Sequence, residues 1–219
     1  MIELYNFVSG PLAWVAWGVF IVGSIYRLVT MYNLAKAKDG SSIAYMSLPF
    51  GLRSIFRWAI PFSTMGWKSD PLMTVATFLF HIGFVLVAVF LGGHVVLWDT
   101  AFGISLPSLP TVVGDIISFV VIGACAVFAY RRVALPHVKG VTKSKDWFAL
   151  ILVVMPFLTG VLAYHQIGPV LLMTTLHILA GEVLLALIPF TRLSHALFVP
   201  FTRAYMGSEF GAVRNAHDW

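Results

Sequence analysis

The chain has 219 residues, 59% of them apolar and only 11% charged, whereas soluble domains carry about a quarter charged residues. That balance argues against a soluble globular domain and suits a bilayer, where a helix crosses about 30 Å of hydrocarbon on roughly 20 mostly apolar residues. The formal net charge of +5 does not point to nucleic acid, because the positions of the basic residues follow membrane topology.

Five apolar runs predict an all-α integral membrane bundle, a single domain over residues 1–219, with spans at about 12–33, 72–97, 111–130, 147–165 and 169–190. Met1 to Pro11 holds Glu3 and no basic residue, so the first apolar stretch reads as a retained span and not a cleavable signal. After span one, Ala35 to Pro71 holds a second apolar piece, Ile43 to Ile60, interrupted by Pro49, Gly51, Arg53 and Arg57. It is too broken to span and predicts an interfacial helix with its arginines near lipid headgroups. The loop after span two ends in ISLPSLPT, where Pro107 and Pro110 punctuate the chain. The lone Cys125 argues against an intrachain disulfide, a four-cysteine iron-sulfur cluster and a covalent CxxCH haem site.

All 14 basic residues fall at the end of span one and the loop after it, between spans three and four, or after span five. In a five-span chain those regions share one side, so the N-terminus is expected outside and the C-terminus in the cytoplasm.

Four of the seven histidines are informative. His81 and His94 fall in span two, His177 in span five, and His195 just past its cytoplasmic end. Ionisable groups at membrane depth are costly and face a bundle interior, a ligand or a water path. Span two runs from cytoplasm to outside and span five runs back. Depth therefore pairs His81 with His195 on the cytoplasmic side and His94 with His177 on the outer side. Two bis-imidazole sites suit two low-spin haem b irons that carry electrons; a zinc ion would want four ligands at one point.

His177 and His195 are 18 residues apart, roughly five whole turns if the helix continues past Pro189. His81 and His94 are 13 apart and about 140° out of line on a straight helix. A kink or bulge at Gly92-Gly93 would bring them into line; otherwise His165, at the end of span four, is the alternative fourth ligand. Haem propionates need cations, for which Arg27, Arg53, Arg57 and Arg192 are candidates beside a purely topological role. Gly83, Gly92, Gly93 and Gly181 suit either a flat macrocycle or close helix packing. Glu182, the one acid near mid-span, and the outer group His165, Tyr164, Gln166 and Asp115 are candidates for proton relay and a quinone slot. The tail, Phe201 to Trp219, carries arginines and aromatics that suit a protein interface. Deleting the residues after Gly207 is expected to release a soluble partner and leave fold and haems intact.

At FHIG…GGH in span two and IPFTRLSH after His177, the sequence resembles the cytochrome b (gamma) subunits of respiratory nitrate reductases, over nearly the whole chain. The resemblance implies two haem b groups, on His81 with His195 and His94 with His177, a menaquinol or ubiquinol site near the outer haem, and a cytoplasmic iron-sulfur partner. Two features depart from that family: the longer His81 to His94 spacing, and the lack of any basic residue on the outer side. The chain looks closer to the small cytochrome b subunits of Hmc- and Tmc-type redox complexes of sulfate-reducing bacteria. Those imply a heterodisulfide-reductase-like iron-sulfur subunit, a multihaem cytochrome c and other membrane subunits, in a bacterial or archaeal cytoplasmic membrane. The rival expectation is a non-redox transporter or assembly scaffold whose histidines serve a proton path or packing.

Overall fold

The structure, a computed structural model, describes residues 1–216, excluding the side chain of Ser42. Every regular element among them is helical: α1 (Ile2–Phe7), α2 (Ala13–Ala44), α3 (Leu48–Ala59), α4 (Met65–Ser69), α5 (Pro71–Phe90), α6 (Gly92–Phe102), α7 (Thr111–Ala134), α8 (Pro136–Lys139), α9 (Ser144–Tyr164), α10 (Val170–Leu187) and α11 (His195–Met206). A π-turn at Val8–Leu12 joins α1 to α2, and another, Gly207–Val213, follows α11. Five helical runs are long and apolar enough to cross a membrane: Ile2–Ser41, Pro71–Phe90, Thr111–Ala134, Ser144–Tyr164 and Val170–Phe190. The chain is an all-α, multi-pass membrane protein.

Two sequence expectations need correction, and one stated condition is not met. Span two, expected as one helix over 72–97, ends at Phe90; Leu91 is extended, at φ −67° and ψ 139°, and α6 starts afresh. Span five ends near residue 190, as expected, and the condition that its helix continue past Pro189 to His195 is not met. The α-helix stops at Leu187, because Pro189 has no N–H to donate and its ring crowds the turn before it. Two short 3₁₀ turns, Ile188–Phe190 and Arg192–Ser194, intervene around an extended Thr191. The apolar piece in the first loop forms a helix of its own only over Leu48–Ala59, because its first two residues, Ile43 and Ala44, end α2, which continues past a non-helical Asp39.

The chain forms two compact units. One comprises Met1–Gly10 with Val75–Gly181; the other comprises Pro11–Thr74 with the chain from Glu182 onward. In the first, Val121, fully buried on α7, packs with Val87 of α5 and Phe157 of α9, and Phe80, Phe84, Leu91, Ile117 and Ile122 close around them. Gly83 belongs to this packing and not to a macrocycle: a Cβ there would stand 2.7 Å from Val121 Cγ2 and 3.1 Å from Ile117 Cγ2. Gly92, Gly93 and Gly181 have nothing within 4 Å of that position. The break after Phe90 is pinned from two sides. Leu91 fills the notch at Gly114, 2.5 Å from where a Cβ would be, and the Leu109 amide donates to the Phe90 carbonyl at 2.8 Å.

In the second unit α3 lies against α11 and the π-turn that follows it. Gly51 meets Ala204, where a Cβ would lie 3.1 Å from Ala204 Cβ, and Gly207 touches the Phe50 carbonyl. The Ser208 hydroxyl accepts from the Ser47 amide at 2.9 Å and donates to the Ala204 carbonyl at 2.8 Å. Tyr205 donates to Asp39 at 3.2 Å. Gly207, Ser208 and Tyr205 thus tie the tail to α2, α3 and the link between them. Arg214 pairs with Glu209 and lies over Phe210; Trp219 lies outside the described residues.

Candidate functional site

The helix break creates the first half of the site. Where α5 ends, the Val87 carbonyl accepts a long 3.3 Å bond from the Leu91 amide and a shorter one, at 2.8 Å, from the His94 Nδ1. On α10, His177 Nδ1 donates to the Pro156 carbonyl of α9 at 2.9 Å. The two rings then stand 5.9 Å apart by centroid, with their planes 11° apart. Depth reasoning placed these two together, and so does the structure; the straight span two on which His81 and His94 would be out of line is interrupted at Leu91.

The same backbone anchoring recurs at the other two histidines. His81 Nδ1 donates to the Thr77 carbonyl at 2.8 Å and His195 Nδ1 to the Arg192 carbonyl at 2.9 Å. A carbonyl oxygen only accepts, so each neutral imidazole carries its proton on Nδ1 and its lone pair on Nε2. This tautomer is the one that metal-binding histidines adopt, with the second nitrogen held by a backbone or carboxylate acceptor. His81 and His195 belong to different units.

An imidazole nitrogen bonds a first-row metal at about 2.0–2.1 Å; adding ~1.1 Å from nitrogen to ring centre on each side puts two trans imidazoles about 6.3 Å apart by centroid. The 5.9 Å between His94 and His177 is close to that spacing. No group of three or more His, Cys, Asp or Glu able to hold a bare metal ion forms among the described residues.

His165 is committed elsewhere. Its Nε2 lies 2.9 Å from Asp115 Oδ1, with Phe119 and Tyr164 ringing it at 6.2 and 5.0 Å. His165 and Asp115 thus form a half-exposed carboxylate–imidazole pair. Glu182, buried in α10, has both carboxyl oxygens enclosed with no hydrogen-bond partner among the described residues.

The four arginines differ. The Arg27 guanidinium lies 5.5 Å over the Phe198 ring, on the helix that His195 begins, and its Nε is buried without a bond among the described residues. Arg57 donates to the Ser63 carbonyl at 3.4 Å. Arg53 and Arg192 are exposed.

Two contributors were not expected from the sequence. The Pro156 carbonyl anchors His177, and Gly160 faces its ring so closely that a Cβ would lie 2.9 Å from Cε1 and 3.0 Å from Nδ1. A backbone acceptor leaves no trace in residue identity. Gly160, next to Thr159 in an apolar span, was the only available signal.

Comparison with known proteins gives the chain's kinship. No family model matches it. A protein of Nitratidesulfovibrio vulgaris (strain Hildenborough) is 36% identical over 216 residues, covering 96% of this chain and 95% of that protein. An alignment that runs nearly end to end at this identity carries all five spans together, and the chain belongs to the family of that Nitratidesulfovibrio vulgaris protein.

Proposed function

We propose that this chain is the di-haem b membrane subunit of a respiratory redox complex, related to the cytochrome b subunits of nitrate reductases and of Hmc- and Tmc-type complexes. It carries electrons across a bacterial or archaeal cytoplasmic membrane, between a quinone pool or an outer cytochrome c and a cytoplasmic iron-sulfur subunit. The observation that carries the reading is the His94–His177 pair, two near-parallel imidazoles 5.9 Å apart, each held by a backbone carbonyl through Nδ1. His81 and His195, with the same anchoring, form the second pair by membrane depth.

A bound haem supplies reversible one-electron transfer at an iron with no open coordination position. The chain's own residues do the rest. The carbonyls of Thr77, Val87, Pro156 and Arg192 fix the imidazole tautomers. Arg27, whose buried Nε has no hydrogen-bond partner among the described residues, offers the cation that a propionate would pair with. The Asp115–His165 pair is a proton acceptor suited to taking the protons that a quinol would release, and the buried Glu182 of α10 is a second proton-holding group. All 14 basic residues lie on the C-terminal side, which supports a cytoplasmic C-terminus.

Purified protein is expected to show b-type Soret and α bands in a reduced-minus-oxidised spectrum, with about two haems per chain. A colourless preparation from haem-replete cells would overturn the proposal. Gly160→Val should displace the His177 ring by overpacking worth about 1–3 kcal/mol. That substitution is expected to shift or empty one redox component and leave the other at its wild-type potential; two unchanged components would remove His177 from the site.

A further inference from the structure

The helix α3 has an unexplained outer face. Its inner face, Gly51 and Ser54, is buried, with Gly51 against Ala204 and Ser54 against Gly207. The outer face presents Leu48, Leu52 and Phe56 at intervals of one turn, exposed by 74%, 44% and 65%, continued by exposed Ile60. Twelve residues with two arginines cannot span a bilayer, so crossing does not account for this stripe. Successive helical residues turn by about 100°, which places Arg53 and Arg57 along one border of the stripe. No acidic residue lies on α3.

Connectivity fixes where the stripe sits. Three residues separate α3 from α2, whose run forms the first candidate span, and its inner neighbour α11 begins only a few residues after the last one. The helix is therefore held at the level where membrane-crossing segments emerge. An amphipathic helix there, with Leu and Phe on one face and arginines along its border, has the chemistry of the headgroup–acyl boundary. A soluble partner would have to cover a stripe with no acceptor or anion on it, whereas an anionic leaflet complements both the apolar residues and the arginines.

We propose that α3 lies in the surface of an anionic bilayer leaflet, inserting Leu48, Leu52 and Phe56 among acyl chains and placing Arg53 and Arg57 at phospholipid phosphates. The tail acts as the strut that holds it there, through the Ser47–Ser208 and Gly51–Ala204 contacts. This reading is independent of any haem.

The test uses the full chain in nanodiscs, with Leu48→Cys or Phe56→Cys carrying an environment-sensitive dye; the native Cys125 is buried and labelling of the parent protein sets the background. Lys139→Cys, at an exposed position in the loop between the third and fourth candidate spans, is the reference. With acyl-brominated phosphatidylcholine, emission from both stripe positions is expected to move to the blue and fall by at least about half, while the reference stays unquenched. Adding phosphatidylglycerol should deepen the quenching, and Arg53→Gln with Arg57→Gln should remove that increment. Labels that report water in every bilayer would overturn the proposal, leaving α3 as a protein-docking face. Quenching indifferent to phosphatidylglycerol would overturn its anionic part.

Discussion

His94→Ala and His177→Ala are each expected to reduce the haem content by about half and to remove the same redox component, whereas His81→Ala and His195→Ala remove the other. The reasoning is geometric for the first pair and topological for the second. His94 and His177 stand 5.9 Å apart with near-parallel rings on two helices of one unit, so losing either would leave the proposed iron with one imidazole. His81 is ten residues into α5 and His195 opens α11, and only the alternation of spans equates their depths. A redox titration of the four variants distinguishes the two levels of argument. Loss of one component by His81→Ala and His177→Ala together would refute antiparallel pairing while leaving haem binding itself in place.

Truncation after Met206 is expected to disturb the site of His195 and spare that of His94 and His177. The sequence alone suggested a dispensable tail that docks a partner. The structure instead seats Gly207 on the Phe50 carbonyl and uses the Ser208 hydroxyl to satisfy the Ser47 amide. Removing these residues strands a backbone donor at a cost of about 1–3 kcal/mol if it stays buried and uncovers Ser54, which has no exposed surface. It also frees the far end of α11, whose first residue is His195. The expected readout is a lowered melting temperature with one haem component shifted or lost. Gly207→Val, which forces a side chain against the Phe50 carbonyl, should reproduce it without shortening the chain. A truncated protein with both components and unchanged melting would show that the tail is dispensable after all.

The spans were legible because hydrocarbon imposes its own length on a helix, and composition reports it directly. Their ends were legible only where proline or charge marks them. Pro189 announced that the run to His195 was conditional, while nothing in the letters FLGGHV announces an extended Leu91. That break depends on Gly114, more than twenty residues later, leaving a notch for the Leu91 side chain. The pairing of His94 with His177 was accessible because depth along a span is a one-dimensional quantity. The carbonyls that hold the rings were not, because every residue has one. The pairing of His165 with Asp115 joins two residues that had been grouped only by their side of the membrane; their contact depends on the rotation of α7 against α9, which periodicity leaves undetermined when lipid surrounds both helices.

The interruption at Leu91 has a consequence for how such chains are recognised. On an unbroken helix, two histidines serving neighbouring sites must be separated by a number of residues that returns both to a common face. Here the second sits on a separate helix whose rotation is set by Leu91 in the Gly114 notch and by the Leu109–Phe90 hydrogen bond. The interval between His81 and His94 is thereby released from the helical repeat, and a residue gained or lost at the junction re-aims α6 without disturbing α5. A search pattern that fixes the interval would separate chains that share this architecture, whereas one that fixes the leucine, the facing glycine and the histidine three residues after the break would keep them together.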